Sequence, residues 1–391
     1  MNIAIAGAGI AGLASAAFLA RAGHTVTVFD RFDAPRPVGS GLMVQPVGLA
    51  VLDRLGLAEQ LVSRASPIRR IYGETFRGLP ILDVKYDDLR TGLVGHAVQR
   101  ATLFDLLLQA AQDAGAQLTP GTRITGHATG FLKVDDQRVG PFDLIVDALG
   151  AYSPLCPKPS APLHFGALWA LLNWPEDGPF HADRLEQRYE FARKMVGVLP
   201  VGQSAPSAPR RLTFFWSLRA SDQESWRATS LVAWKDEVRS LWPETEAILD
   251  QITSHGELTF AQYTHRTLWR PYGEGIVHIG DSFHATSPQL GQGANMALLD
   301  AAALAAAARS APVDRIGEQF ASLRSRHVRL YQAASWLFTP LYQSDSRLLP
   351  WIRNRLGAPF AQLGPVRKLL ASLVAGETGR PLTRLFDDVP D

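Results

Sequence analysis

Cysteine is almost missing. Cys156 stands alone among 391 residues, which excludes an internal disulfide framework and a cysteine-built metal site. The ten histidines include no pair at the spacing of a metal-binding helix, so no metal is expected. An excess of one charge is missing too. With 39 basic and 37 acidic side chains the net charge is +2, too little to mark a nucleic-acid binder. Charged residues make up only 19% of the chain and hydrophobic ones 46%, which excludes intrinsic disorder and provides for a large core. There is no internal repeat, no low-complexity tract and no Gly-x-Ser-x-Gly elbow to support hydrolase chemistry. Residues 1–20 carry no charge, yet they lack the basic start and cleavage site of a secretory signal. They read as a buried strand turning into a helix. No targeting segment is expected, and the cytoplasm is the default location.

What is present begins with glycine. Asn2 to Ala6 is a short apolar run, Gly7-Ala8-Gly9-Ile10-Ala11-Gly12 a glycine turn, and Leu13 to Ala22 a small-residue helix. Thr25 to Asp30 (TVTVFD) is a β-branched strand ending in an acid. In this setting Gly7 permits the tight turn, Gly9 lets the backbone approach a pyrophosphate, and Gly12 allows helix and strand to pack closely. The helix start offers free N–H donors to phosphates. Asp30 is placed to accept from ribose hydroxyls. Gly7, Gly9, Ile10, Ala11, Gly12, Asp30 and Arg31 are therefore the first candidate contacts of a dinucleotide, which the motif alone leaves open between NAD and FAD.

A second glycine element follows another buried run, Gly275 to Gly280. It reads Gly280-Asp281-Ser282-Phe283-His284-Ala285-Thr286-Ser287-Pro288-Gln289-Leu290-Gly291-Gln292-Gly293-Ala294-Asn295. Asp281 emerges at the carboxyl end of a strand, where open α/β sheets bind ligands. Gly291 and Gly293 lead into an alanine-rich helix over 294–309. With Gly39 to Leu57 and the Gln99-Arg100 pair between them, the two motifs resemble the class A flavoprotein monooxygenases, the para-hydroxybenzoate hydroxylase-like family. The resemblance covers most of the first 310 residues.

It implies an α/β fold: a Rossmann-like FAD-binding domain with an inserted mixed β-sheet substrate domain and a helical C-terminal extension. The corresponding boundaries are 1–66, 96–155 and 266–326 for the FAD-binding domain, 67–95 and 156–265 for the substrate domain, and 327–391 for the extension. It implies FAD as cofactor, NADPH or NADH as a transient electron donor, O2 as co-substrate, and hydroxylation of an aromatic or polyketide-like molecule through a flavin hydroperoxide. Asp281 would contact the ribityl or pyrophosphate part, Pro288 the ring, and Gly293, Ala294 and Asn295 the N1–C2=O edge. Gly41 and Leu42 would flank the ring, and Arg100 would meet the FAD backbone.

One departure stands out. The family carries Asp-Gly at the end of the strand before the inserted domain, where this chain has Asp147-Ala148-Leu149-Gly150. Asp147 lies on the same strand face as position 149 but one pleat, about 7 Å, earlier, so it is no simple substitute. That leaves open a flavoprotein oxidase working without NAD(P)H, and, in another class, a non-catalytic flavin binder.

The inserted region is aromatic, with six of the nine tryptophans. Phe214 and Trp216 share one face of an expected strand, and Trp169 lies on another. These three are the expected lining of a flat apolar substrate pocket, against the alternative of ordinary sheet core. His284 reads as a structural, hydrogen-bonded histidine, and no general base is identifiable. Residues 327–375 are basic and apolar with proline breaks expected at Pro340, Pro350 and Pro359. They read first as a cover or packing layer and second as a membrane-surface element.

Overall fold

A computed structural model describes residues 1–33, 41–135 and 137–386. Gly39 and Ser40, which open the family-like segment, lie outside the described residues. The strand Asn2–Ala6 is apolar and buried from its second residue onward, as a strand covered on both faces must be. It occupies the middle of a six-stranded sheet, pairing in parallel with Thr25–Phe29 on one side and Leu144–Asp147 on the other. Gln117–Thr119 and Ile276–His278 extend the parallel set outward, and Tyr272–Gly273 adds an antiparallel edge. This is the Rossmann-like part of an α/β fold. The helices Ile10–Arg21 and Gly293–Ser310 pack closely because small residues face each other. A Cβ placed on Gly280 would lie 3.0 Å from Ala11 Cβ and 3.9 Å from Ala297 Cβ.

A seven-stranded mixed sheet draws on residues 70–85 and 161–265. Its order is Thr259–His265, Ala161–Asn173, Arg211–Arg219, Lys194–Pro200, Arg184–Glu190, Arg70–Thr75 and Pro80–Lys85. All neighbours are antiparallel except Arg184–Glu190 against Arg70–Thr75. One face packs on the helix Leu231–Leu241 through Phe214, Trp216 and Trp234. Met195, Leu199 and Phe215 belong to a different core cluster, shared with the C-terminal helix Gly364–Ala375.

The C-terminal region departs from the proline breaks expected of it. The helix Ile316–Tyr342 runs through Pro340, and Pro350 lies inside Leu348–Ile352. In the last turn a proline removes only one helical hydrogen bond, so the helix survives to its natural end. This long helix is tied to the loop before Gly293: Thr286 Oγ1 donates to Ser335 Oγ at 2.6 Å, and Ser287 Oγ bonds Thr339 Oγ1 at 2.5 Å. No helix among the described residues is long and apolar enough to cross a membrane.

Candidate active site

The first glycine motif forms a cradle in which three glycines do three different things. Gly7 holds φ at +106°, and a Cβ there would come within 2.5 Å of Ala148 O. A Cβ on Gly12 would strike Gly7 O at 1.9 Å, whereas a Cβ on Gly9 would meet nothing within 4 Å. Gly7 and Gly12 are thus fixed by packing, and Gly9 faces open space, as the pyrophosphate position requires. Ile10 and Ala11 form the first turn of the helix, Ala11 buried against Gly280. Asp30 Oδ2 accepts from Ala8 N–H at 2.7 Å and Oδ1 from Phe32 N–H at 3.0 Å. The acid therefore braces the glycine loop, and each oxygen keeps a lone pair for a ligand hydroxyl. Arg31 is exposed and lies over the Phe32 ring, 5.1 Å from its centroid.

The second motif opens onto a cavity of about 1770 Å³. Gly41, Leu42, Arg100, Asp281, Pro288, Gly291, Gly293 and Ala294 all line it, although they come from three separate stretches of chain. Asn295 does not. Its side chain is buried, accepting from Gln45 N–H at 2.8 Å and donating to Met43 O and Gly291 O. It pins the strand Gly41–Val44 to the start of the helix Gly293–Ser310, a structural role for the side chain that is separate from the backbone-amide contact with the cofactor expected of Asn295.

Among the described residues, two buried donors in the cavity wall have no protein partner: Arg100 Nε and Gln45 Nε2. Burial lowers the Arg100 guanidinium, and the neighbouring Asp281 carboxylate opposes that shift. Gln45 was not singled out in the sequence. Its carbonyl is taken by Tyr86 Oη at 2.5 Å, which leaves the amide N–H2 beside Gly291, 3.5 Å from a Cβ built there. Only the position of Gln45, ahead of the helix Pro46–Arg54, hinted at it. Open space at Gly9, orphaned donors at Arg100 and Gln45, and an 18-residue helix beginning at Gly293 together fit FAD.

The aromatic expectation is corrected in part. Trp169 lines the cavity, and its ring lies 5.0 Å from that of Phe215. Phe214 and Trp216 do not line it. They point to the opposite side of their strand, where both meet Trp234 edge-on at 6.1 and 6.4 Å. Strand alternation was read correctly, but the sequence does not say which face meets the helix Leu231–Leu241.

Asp147 is fully buried and already engaged. Ser153 Oγ donates to it at 2.8 Å and Leu149 N–H at 3.1 Å, and His278 Nδ1 lies at 2.7 Å. Leu149 turns onto the cluster containing Phe29 and Phe142. Asp147, Cys156 and His278 bring three potential ligand atoms within 4.8 Å of one another. The carboxylate is occupied, however, and burial pushes the Cys156 thiol up to about 11, so a thiolate is not on hand. His284 Nε2 lies 2.6 Å from Asp300 Oδ2, and Arg324 Nε donates to Oδ1 at 2.7 Å. Burial alone would raise the Asp300 carboxyl. His284 and Arg324 outweigh it and hold the group below its ordinary value.

Residues 1–140 match the FAD binding domain family. Kynurenine 3-monooxygenase of Salinispora arenicola (strain CNS-205) is 28% identical, over 90% of this chain and 86% of its own. The 2-heptyl-3-hydroxy-4(1H)-quinolone synthase of Pseudomonas aeruginosa (strain UCBPP-PA14) is 27% identical, over 91% and 93%. The tetrameric form of 2-methyl-3-hydroxypyridine-5-carboxylic acid oxygenase shares the fold, with a TM-score of 0.78 at 19% identity over 98% of both chains. The glycine cradle, the second motif around one cavity and these relatives agree: residues 1–140 match the FAD binding domain family, and the chain is similar over most of its length to FAD-dependent aromatic monooxygenases.

Proposed function

We propose that the protein hydroxylates an aromatic small molecule that lies against Trp169 and Phe215, with NADPH or NADH as electron donor and O2 as co-substrate. The observation that carries this reading is the single cavity shared by Arg100, Asp281, Pro288 and Gly293 on one side and by Trp169, Phe215 and Tyr263 on the other. Bound FAD supplies the redox chemistry, taking electrons from the nicotinamide and activating O2.

The chain's own residues bind, orient and exclude water. Gly9 and the helix start at Ile10 would receive the pyrophosphate, and Asp30 would accept from the adenosine ribose. Arg100 and Asp281 would hold the polar chain of the cofactor between pyrophosphate and ring, and Pro288 would face the ring. The N–H groups at Gly293, Ala294 and Asn295, with Gln45 Nε2, would offer donors to the edge of the ring, where bound FAD gathers negative charge on reduction. Leu42, Met195, Leu199 and Phe215 give the cavity apolar walls, which keep water from the reacting centre. The domain boundaries stated from the sequence are part of the same proposal.

The test is isotopic. With 18O2, NADPH and an aromatic substrate, the product carries one labelled oxygen. Stoichiometric peroxide with no labelled product would contradict the hydroxylase reading.

A further inference from the structure

The cavity also bears on which aromatic compounds it admits, an inference that rests on the monooxygenase reading above. At about 1770 Å³ it exceeds the roughly 300–1,000 Å³ of an ordinary ligand pocket, so it has room for a ring system of the cofactor and a second molecule of some size. Among the described residues its only cationic side chains are Arg100, Arg211 and Arg353, with no lysine and no histidine. Arg353 is buried and spent on the protein. Its Nη1 donates to Leu341 O at 2.9 Å, Nη2 to Phe191 O at 3.0 Å and Nε to Asn354 Oδ1 at 2.9 Å. Arg211 donates to the carbonyls of Leu171 and Leu172 at 2.8 and 3.1 Å. Arg100 stands beside Asp281, in the group that fits the cofactor.

The acids are likewise committed. Asp83 is held by two hydrogen bonds from Arg70, and Glu257 accepts from Thr253. The C-terminal helices contribute Leu337, Leu341, Ile352, Phe360, Leu369 and Leu370 to the wall. Leu337, Phe360 and Leu369 are also exposed to solvent, so the cavity opens through an apolar rim. A carboxylate entering here sheds its hydration without meeting a counter-charge. An alkyl chain gains with every methylene it buries.

We infer that the substrate is an uncharged aromatic compound carrying an alkyl or aryl extension, with its ring against Trp169 and Phe215 and its extension among the C-terminal helices, and that aromatic carboxylates are excluded.

The test is equilibrium dialysis of the oxidised holoenzyme, which needs no turnover. One ligand set is 4-methyl-, 4-propyl-, 4-pentyl- and 4-heptylphenol against 4-hydroxybenzoate. The second is 2-methyl- and 2-heptyl-4-quinolone against 4-hydroxyquinoline-2-carboxylate. The expected result is a dissociation constant that falls up to about four-fold per added methylene, with each carboxylate about a hundredfold weaker than the longest neutral compound of its ring type. Ala361→Trp, which fills the wall near Phe360, is expected to weaken the heptyl compounds at least about ten-fold more than the methyl ones. Carboxylates that bind as well as the heptyl compounds, affinity that ignores chain length, or no binding by any neutral compound would overturn the inference. Carboxylates that bind and become hydroxylated with label from 18O2 would overturn it alone and leave the monooxygenase reading standing.

Discussion

Trp169 and Phe215 are paired across adjacent strands, with ring centroids 5.0 Å apart and planes inclined by 33°, and both face the cavity. One residue away, Phe214 points to the other side and meets Trp234 edge-on at 84°. A single strand thus serves a binding surface with one set of side chains and a hydrophobic core with the other. The two sets respond to mutation differently. Trp169→Leu and Phe215→Leu are expected to weaken an aromatic ligand by about 0.5–1.5 kcal/mol each. Phe214→Leu and Trp216→Leu are expected to lower the unfolding free energy by about 1–3 kcal/mol while leaving ligand affinity unchanged. Urea unfolding and ligand titration on the four variants separate the faces. Equal losses of affinity on both faces would contradict the assignment.

The glycine cradle makes an equally sharp contrast. Gly9→Ala places its methyl in open space, so the apoprotein is expected to unfold at the wild-type urea midpoint while FAD affinity drops about ten-fold or more. Gly12→Ala drives a methyl into Gly7 O and is expected to cost about 1–3 kcal/mol of stability before any cofactor is added. Gly9→Ala protein that keeps wild-type FAD affinity would contradict the pyrophosphate position.

Much of this arrangement was legible in the sequence because its signals are local. Gly7, Gly9 and Gly12 sit between an apolar strand and a small-residue helix, and Gly280 to Gly293 repeats that logic. The face choice of Phe214 and Trp216 was not legible. Period-two alternation identifies two faces but does not say which one a helix fifteen or more residues away will cover. Gln45 and the structural role of the Asn295 side chain escaped for a related reason: their partners, Tyr86, Met43 and Gly291, become neighbours only through tertiary folding. Pro340 misled because local propensity marks a break, whereas the packing of Ser335 and Thr339 on the loop at 286–287 holds that helix together.

Arg100 and Asp281 carry the polar half of the proposed cofactor site. Arg100→Gln and Asp281→Ala are each expected to weaken FAD about ten- to hundred-fold, read by fluorescence titration of the apoprotein. Either variant binding FAD as the wild type does would remove that residue from the site.

His327 gives the fold an acid limit. Burial, reinforced by the Arg324 guanidinium, pushes its imidazole down to about 3 from an ordinary 6.5. Arg324 Nη1 lies 3.1 Å from Nδ1, and Nε2 lies 3.3 Å from Gly376 O, an arrangement made by the neutral ring. The unfolded chain takes up a proton near pH 6.5 that the native state refuses. Stability from this group is therefore complete above about pH 6.5 and declines by up to about 1.4 kcal/mol per pH unit as pH falls towards 3. Urea unfolding between pH 8 and 4.5 is expected to show this slope, and His327→Gln to flatten it. An unchanged slope in the variant would assign the acid sensitivity elsewhere.

The most direct test of the central claim is the visible spectrum of the purified protein under anaerobic conditions, before and after addition of NADPH or NADH. An oxidised flavin band near about 450 nm that bleaches on addition, faster with a bound aromatic ligand, is the result expected of an NAD(P)H-dependent flavin monooxygenase. A flavin band that persists with both nucleotides, with and without ligand, or no flavin even after reconstitution with FAD, would contradict it.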